Sequence, residues 1–250
     1  MKALSQSPRL YISADIAAGA PLTITGDQAH YLQHVMRLKE GANVRLFNGR
    51  DGEWHGRIRS FTKRGAEIAL EALIREQKSE PDLWLCCAPI KKAHFEYMIE
   101  KACELGAAVI QPVLTAHTQI REINIERCLS IAAEAAEQSE RMSIPKIHKP
   151  VSLEKLIAGW PQGHAPIICA EKGEALAVRD AFEAPLLKSA KQAAVVTGPE
   201  GGFSAEELEM LGKIPHAVFI RLGPRILRAD TAAIAAMTCW QALCGDWQQA

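Results

Sequence analysis

The spacing of apolar and polar residues changes character near residue 80. Short apolar runs, separated by turn signals such as Asn48-Gly49, fill the first 75 residues and predict β-strands. From Leu83 onward, apolar strands alternate with segments of helical period, which is the pattern of a parallel α/β sheet. The sequence therefore predicts a small β-barrel in residues 1–75 and an α/β domain in residues 76–250. The polar stretch Arg75–Pro81 is the candidate linker.

The predicted elements follow from these periods. In the N-terminal part, strands are expected at Arg9–Ile12, Pro21–Ile24, Asn43–Phe47, Glu53–Phe61 and Glu67–Ile74. One helix interrupts them, with Thr25 and Gln28 spaced as a capping box and with Tyr31, Leu32, Val35 and Met36 as its apolar face. In the second part, strands are expected at Leu83–Ala88, Ala107–Val113, Pro166–Ala170, Ala193–Thr197 and Ala217–Leu222. Helices are expected at Lys91–Leu105, Asn124–Arg141, Ser204–Gly212 and Thr231–Cys244. The first of them is expected to bury the face formed by Phe95, Met98, Ile99 and Ala102.

The helix expected at Thr231–Cys244 is apolar nearly all round. Such a helix must be covered on several sides, either by its own domain or by a second subunit.

Composition places the chain among ordinary globular proteins, with 48% apolar and 23% charged residues. No run of 18 apolar residues occurs, and the first residues lack the apolar core of a signal peptide, so we expect a cytosolic protein without membrane spans. The seven cysteines show no C-x-x-C or paired Cys/His spacing. They are expected to be reduced apolar filler, and no metal site is predicted.

Two loops near the C-terminus are the strongest candidates for chemistry. Gly198–Gly202 lies between a strand and a helix at whose start Ser204 and Glu207 are spaced as a capping box. Leu222–Thr231 repeats this placement about two dozen residues later. Loops at the carboxyl ends of parallel strands are where α/β sheets bind ligands. The first loop lacks the Lys-Ser/Thr ending of a phosphate loop, so it indicates either a ligand with an adenine edge or ribose hydroxyls, or a tight turn without a ligand.

The second loop carries Arg225 and Arg228 around an apolar pair. Two arginines suit phosphate or base recognition, and the alternative is a pair of surface charges. Asp230 or Thr231 has the residue type of an N-cap, which is the purely structural interpretation of this end of the loop.

Both loops, together with segments elsewhere in the chain, resemble the ribosomal RNA small subunit methyltransferase E family of the SPOUT superfamily. These are bacterial 16S ribosomal RNA (uracil-N3) methyltransferases. The segments that carry the resemblance are Thr197–Ser204, Leu222–Arg228, His30–Leu38, Glu100–Gly106 with Ile110–Pro112, and Ala133–Ser139 with Arg141 and Pro145.

The resemblance implies an N-terminal PUA-like barrel, an α/β domain with a deep trefoil knot, a homodimer, and S-adenosyl-L-methionine as methyl donor. The donor would be held by Thr197, Gly198, Glu200, Gly201, Gly202, Leu222, Gly223, Ile226 and Leu227. It also implies methylation of uridine N3 in 16S ribosomal RNA or the small subunit. The alternatives are a SPOUT methyltransferase for another RNA, or an inactive RNA-binding homologue.

Charge supports an RNA partner. Residues 1–75 carry 11 lysines and arginines against 7 acidic residues, while the rest of the chain carries 18 against 22. An electropositive N-terminal part suits a polyanion. The expected RNA contacts are Arg37, Arg57, Arg59, Lys63, Arg64 and Arg225.

Catalysis is expected from Arg228, as stabiliser of charge on the uracil oxygens, and from Asp230, as proton acceptor or as the group that orients Arg228. The chain departs from the family pattern at Ala229-Asp230, where Thr-Glu is usual, and at Ala116-His117-Thr118, where a charged pair is lost. It also departs at Glu140, which replaces a glycine.

Overall fold

The computed structural model describes residues 7–170 and 174–249, and their contacts divide the chain into two compact units. One unit runs up to Ser79 and also includes Ala136–Ile144. The other consists of Glu80–Ala135 and of the chain from Pro145 onward. The first unit therefore draws a segment from the middle of the sequence, which a single division at residue 75 does not provide for.

The first unit is built on one mixed sheet. Its strands are β1 (Arg9–Tyr11), β2 (Pro21–Ile24), β3 (Asn43–Phe47), β4 (Glu53–Thr62) and β5 (Gly65–Arg75). Their order is β1-β3-β4-β5-β2, with β1 parallel to β3 and the other pairs antiparallel. Leu10, Leu46 and Ile58 are among the residues of its core. All five predicted strands are confirmed to within two residues at each end.

The helix of the first unit differs from its prediction. Helix α1 (Gly26–His30) continues as a π-helical turn over Tyr31–Val35, in which the Met36 amide donates to the Tyr31 carbonyl. Thr25 is the N-cap but makes no side-chain capping bond, and Gln28 donates instead to the Tyr11 carbonyl at 2.6 Å. The predicted capping box is therefore wrong.

The apolar face predicted for this helix is also wrong. Leu32 is fully buried, whereas Tyr31, Val35 and Met36 are 39%, 60% and 40% exposed. A π-helical turn closes bonds from i to i+5, so residues spaced for an α-helix no longer share one face.

Buried charge holds the segment Ala136–Ile144 within the first unit. The guanidinium of Arg9 donates to Glu53 at 3.0 Å and to the main-chain carbonyls of Ala136 and Arg141 at 2.5 and 2.7 Å. Glu140, where the family usually has glycine, has φ +60° and lies 3.2 Å from Arg45. A left-handed residue other than glycine costs on the order of 1 kcal/mol, and this ion pair offsets part of that cost.

The second unit is a parallel α/β sheet, as predicted. Its strands are β6 (Asp82–Cys87), β7 (Ala107–Leu114), β8 (Lys146–Ile147), β9 (Val151–Ser152), β10 (Ala165–Cys169), β11 (Leu176–Ala177), β12 (Gln192–Thr197) and β13 (Val218–Arg221). The order is β11-β13-β10-β12-β6-β7-β8, with β9 also paired to β7, and every pair is parallel. The knot implied by the resemblance stays a prediction.

Helices connect these strands. They are α2 (Lys92–Glu104), α3 (Ile125–Ser139), α4 (Leu153–Ala158), α5 (Val178–Glu183), α6 (Pro185–Lys188), α7 (Ala205–Gly212) and α8 (Ala229–Leu243). Helix α2 buries Phe95, Met98, Ile99 and Ala102, the face predicted from its period. It ends before Gly106, whose φ of +81° fits the C′ position.

Strand order determines where a ligand can enter. After β10 and the short edge strand β11, the chain forms β12 on one side of β10 and then β13 on the other side. The loops that follow β12 and β13 therefore flank the carboxyl end of β10. Such a reversal of winding opens a crevice at the strand ends.

The cysteines behave as predicted, since all seven are free thiols. Cys86 and Cys87 lie in the sheet core, and burial raises the pKa of the Cys86 thiol to about 12. In the described ranges, no helix has both the length and the hydropathy of a membrane span.

Candidate functional site

The loop Thr197–Ser204, called the glycine loop below, is fixed by its own helix and by a neighbouring turn. Ser204 caps α7 by accepting from the Glu207 amide at 3.2 Å, and Glu207 accepts from the Ser204 amide at 2.9 Å. The predicted capping box is confirmed. The second oxygen of Glu207 accepts from the Ala116 amide at 2.7 Å. One buried carboxylate therefore ties the glycine loop to the turn after β7.

His117, from the same turn, also holds the glycine loop. Its Nδ1 lies 3.1 Å from the Gly202 carbonyl, which can only accept, so Nδ1 donates. A Cβ at Gly201 would lie 3.0 Å from the His117 Cβ. A side chain at Gly201 would therefore press on His117 and require it to shift by a few tenths of an ångström. Sequence reasoning treated this turn only as a departure from the family pattern.

The loop Leu222–Arg228, called the arginine loop below, has few contacts. No hydrogen bond joins Gly223–Leu227 to the rest of the described chain, and the Ile226 side chain is 82% exposed. Gly223 has φ +88°, a conformation that other residues adopt only with strain. Helix α8 begins at Ala229, with Arg228 as N-cap, so the predicted cap at Asp230 or Thr231 is wrong.

The two loops enclose one cavity of about 680 Å³. Every residue predicted to hold the donor lines it: Thr197, Gly198, Glu200, Gly201, Gly202, Leu222, Gly223, Ile226 and Leu227. The cavity also includes residues that sequence reasoning missed, among them Ala170, Val178, Arg179 and Phe203. The two-residue strand β11, which precedes Val178, is too short to give a periodic signal. The volume is that of a small-molecule site.

Thr197 shows that this cavity suits a ligand with polar edges. Its Oγ1 is buried and has no hydrogen-bond partner among the described residues, although Thr197 itself lines the cavity. A buried unpaired hydroxyl is costly unless a bound molecule or water satisfies it. The walls combine this hydroxyl and loop main chain with apolar side chains, an arrangement that can hold a nucleoside-like ligand.

Asp230 contacts His94 and Thr231. One carboxylate oxygen lies 2.9 Å from Nδ1 of His94, and the other accepts from the Thr231 amide at 2.8 Å. Burial raises the pKa of the Asp230 carboxyl, but the hydrogen bonds from His94 and Thr231 outweigh it and leave the pKa lowered. No hydrogen bond or ion pair joins the side chains of Asp230 and Arg228 in the described structure. The predicted orientation of Arg228 by Asp230 therefore has no geometric support.

The arginines predicted to act on RNA or substrate are accessible. Arg225 lines the cavity, while Arg228 lies outside its wall, and both are exposed. In the first unit, Arg37, Arg57, Arg59, Lys63 and Arg64 are all exposed. Arg57 is paired with Glu71 at 2.8 Å, which reduces the charge that it offers to a phosphate.

Comparison with known families agrees with this architecture. A family model described as an RNA methyltransferase domain matches residues 77–241, and one described as an RNA methyltransferase PUA domain matches residues 24–71. The predicted PUA-like N-terminal part and the α/β methyltransferase part are therefore confirmed.

Known proteins resemble the chain over most of its length. It is 34% identical to the ribosomal RNA small subunit methyltransferase E of Rickettsia conorii, over 92% of this chain and 93% of that protein. A methyltransferase of Legionella pneumophila, solved with the cofactor SAM bound, superposes with a TM-score of 0.84 at 28% identity, covering 95% of this chain and 98% of that one. The corresponding small subunit methyltransferase E of Neisseria gonorrhoeae shares the fold, with a TM-score of 0.84 at 24% identity over 97% of this chain and 100% of that one.

Proposed function

Because the chain belongs to the ribosomal RNA small subunit methyltransferase E family, we propose that it transfers a methyl group from S-adenosyl-L-methionine to N3 of a uridine in 16S ribosomal RNA. The observation that carries the proposal is the cavity that the glycine loop and the arginine loop line together. The Legionella relative, of the same fold, has SAM bound.

The residues of the cavity fit this donor. Thr197 Oγ1 can satisfy its hydrogen-bonding capacity with a polar atom of the adenosine part, and the main chain at Gly198 and Gly202 allows close approach. Leu222, Ile226 and Leu227 supply apolar contact. When bound, the donor supplies an electrophilic methyl carbon on a sulfonium.

Arg228 is suited to charge stabilisation. It is exposed, it is the N-cap of α8, and it closes a loop that lines the cavity. A guanidinium stays protonated at neutral pH, so its role is to stabilise negative charge that develops on the uracil oxygens as N3 loses its proton. Proton acceptance by Asp230 is disfavoured, because its pKa is lowered and both oxygens are engaged.

RNA binding and assembly complete the proposal. The exposed basic residues of the first unit would contact phosphates, with Arg57 contributing least because of its pairing with Glu71.

A homodimer would cover the partly exposed apolar side chains of α8, such as Ile234 and Ala235, and the exposed Leu243.

The decisive experiment maps the modified base. Small-subunit RNA from a strain lacking the gene is incubated with purified protein and labelled donor, and the methylated nucleotide is identified by nuclease digestion and mass spectrometry. We expect 3-methyluridine. Methylation of other RNA, and not of small-subunit RNA, would support the alternative of a SPOUT methyltransferase for another RNA. Donor or RNA binding without methyl incorporation would support an inactive homologue, and either result would overturn the proposal.

A further inference from the structure

His94 and Asp230 form a contact between two helix starts. His94 lies in the first turn of α2 and Asp230 in the first turn of α8, and their side chains meet at 2.9 Å between Nδ1 and Oδ2. The Asp230 side chain is only 9% exposed, while that of His94 is 41% exposed. A buried carboxylate thus holds an imidazole that remains accessible to a large substrate.

The contact determines which ring nitrogen is free. Asp230 has a lowered pKa, so at neutral pH it is a carboxylate and can only accept hydrogen bonds. Nδ1 of His94 must therefore carry hydrogen, which leaves the lone pair of neutral imidazole on Nε2. Across residues 7–170 and 174–249, Nε2 has no hydrogen-bond partner.

The pair lies near the carboxyl ends of the central strands β6 and β12, outside the cavity wall itself. The Ala88 amide, in the connection from β6 to α2, donates to the Thr197 carbonyl at 3.0 Å. On α8, Ala229 and Ala232 line the cavity on either side of Asp230 in the sequence. His94 thus stands beside the carboxyl edge where the donor would bind.

Other charged groups lie on the elements that carry His94 and Asp230, and only some of them are paired. Lys91, the N-cap of α2, has no ion-pair partner among the described residues. On α2, Lys92 lies 3.9 Å from Glu96, and Arg127 of α3 lies 3.5 Å from the same carboxylate. On α8, Arg228 is the neighbouring cation and Asp230 the carboxylate in contact.

We infer that His94, positioned by Asp230, accepts the N3 proton of the target uracil. This inference rests on the proposed function. The N3–H proton moves to Nε2 of His94, and the electron pair left on N3 forms the bond to the methyl carbon. As this bond forms, the carbon–sulfur bond of the donor breaks and its electron pair passes to sulfur. The imidazolium is stabilised by Asp230 and later releases the proton to water.

The test compares His94→Asn with His216→Asn, a matched change at an exposed histidine between α7 and β13. Removing a general base costs about a hundredfold or more in rate. We therefore expect kcat of His94→Asn to fall about a hundredfold, with donor affinity by calorimetry and KM for RNA unchanged. The acid limb of the pH–rate profile should disappear. His216→Asn should keep the wild-type profile.

Asp230→Asn tests the positioning role by a second readout. An asparagine amide can donate to Nδ1 and so move the imidazole hydrogen to Nε2, which then cannot accept a proton from the substrate. In the free protein, ¹⁵N NMR should show Nδ1–H in the wild type and Nε2–H in Asp230→Asn, with kcat lowered. Asp230→Glu, which keeps the carboxylate, should restore both.

The outcomes separate the two proposals. If the wild type methylates uracil N3 and the kcat of His94→Asn lies within about threefold of the wild-type kcat, the role of His94 as proton acceptor is wrong. The proposed function would stand in that case. Unchanged ¹⁵N shifts in Asp230→Asn would overturn the positioning role. If the wild type transfers no methyl group to uracil N3, both the proposed function and the inference that rests on it are wrong.

Discussion

The two loops around the cavity contrast in how they are held. The glycine loop is fixed by the capping box of α7, by the second oxygen of Glu207 and by His117. The arginine loop has no such bonds in the described structure and exposes Ile226 by 82%. One wall is therefore preorganised, and the other can adjust when ligands bind. Segments with few bonds open most readily, which suits the wall that must admit a substrate.

Arg228→Ala should give the largest effect, since the arginine loop is proposed to supply the charge that stabilises the reaction. Loss of one hydrogen-bond donor that stabilises charge in the transition state typically costs about a hundredfold to a thousandfold in rate. We expect kcat to fall by that amount in a methyl-transfer assay, while calorimetry shows unchanged donor affinity.

The control is Arg225→Ala in the same loop, where Arg225 lines the cavity and is a predicted RNA contact. It should raise KM for RNA and leave kcat at saturating RNA nearly unchanged. Equal kcat losses in the two variants would mean that the loop acts as one structural element, without a special role for Arg228.

Gly202→Ala tests the preorganised wall with a smaller effect. Gly202 lines the cavity, has φ +69°, and an added Cβ would meet no protein atom within 4 Å, so the variant tests whether a methyl group at this position hinders the donor. Overpacking typically costs about 1 to 3 kcal/mol, or roughly a tenfold to hundredfold loss of donor affinity. Calorimetry with S-adenosyl-L-methionine measures the loss.

Gly41→Ala is the matched control, because Gly41 has φ +84°, equally open surroundings and a place in the first unit. Both variants bear the same backbone strain, and only Gly202→Ala should bind the donor less tightly. Valine at Gly201 or Gly223 should abolish donor binding, but these variants mix strain with steric exclusion of the donor. Valine at Gly201 would press on His117, and valine at Gly223 would have to adopt φ +88°.

Glu207→Gln should show the smallest effect. The amide keeps one acceptor for Ser204 but turns an N–H group toward the Ala116 amide, and an unsatisfied buried donor costs about 1 kcal/mol or more. Denaturant unfolding should show this loss of stability. Glu209→Gln, on the exposed side of α7 and paired with Lys213, should change stability by less than about 0.5 kcal/mol. Equal stability of both variants would show that the tether does not hold the glycine loop.

Sequence period and loop placement were sufficient to predict the fold class and the two loops, and the resemblance of separate motifs was needed to identify the family. The strand predictions of the first unit succeeded because buried and more exposed residues alternate, as in β2 and in the first part of β3. The strands of the second unit are buried nearly continuously, as in β12, and were predicted from short apolar runs. The apolar face of the first helix failed because a π-helical turn after His30 changes the residue spacing, and composition carries no signal for it. The start of α8 was predicted two residues late, because the sequence offered better capping residues than Arg228.

The contacts that the sequence could not supply are those between distant segments. His94 and Asp230 are 136 residues apart, and neither belongs to a motif that links them. Likewise Ala116 and Glu207 meet across 91 residues. Glu207 was recognised as a capping residue, yet its second oxygen has a further use that only the packed structure reveals.

The discontinuous first unit has a consequence for synthesis. Arg9 and Glu53 are translated early, but Ala136 and Arg141, which accept hydrogen bonds from Arg9, follow much later. At about 5 to 20 residues per second, the 69 residues from 75 to 144 take roughly 3 to 14 seconds. During that time, nascent chains must keep the guanidinium of Arg9 hydrated or bound to Glu53 alone. A fragment that ends at Arg75 would preserve this unfinished state, so a fragment prepared to study the first unit should retain residues through Ile144.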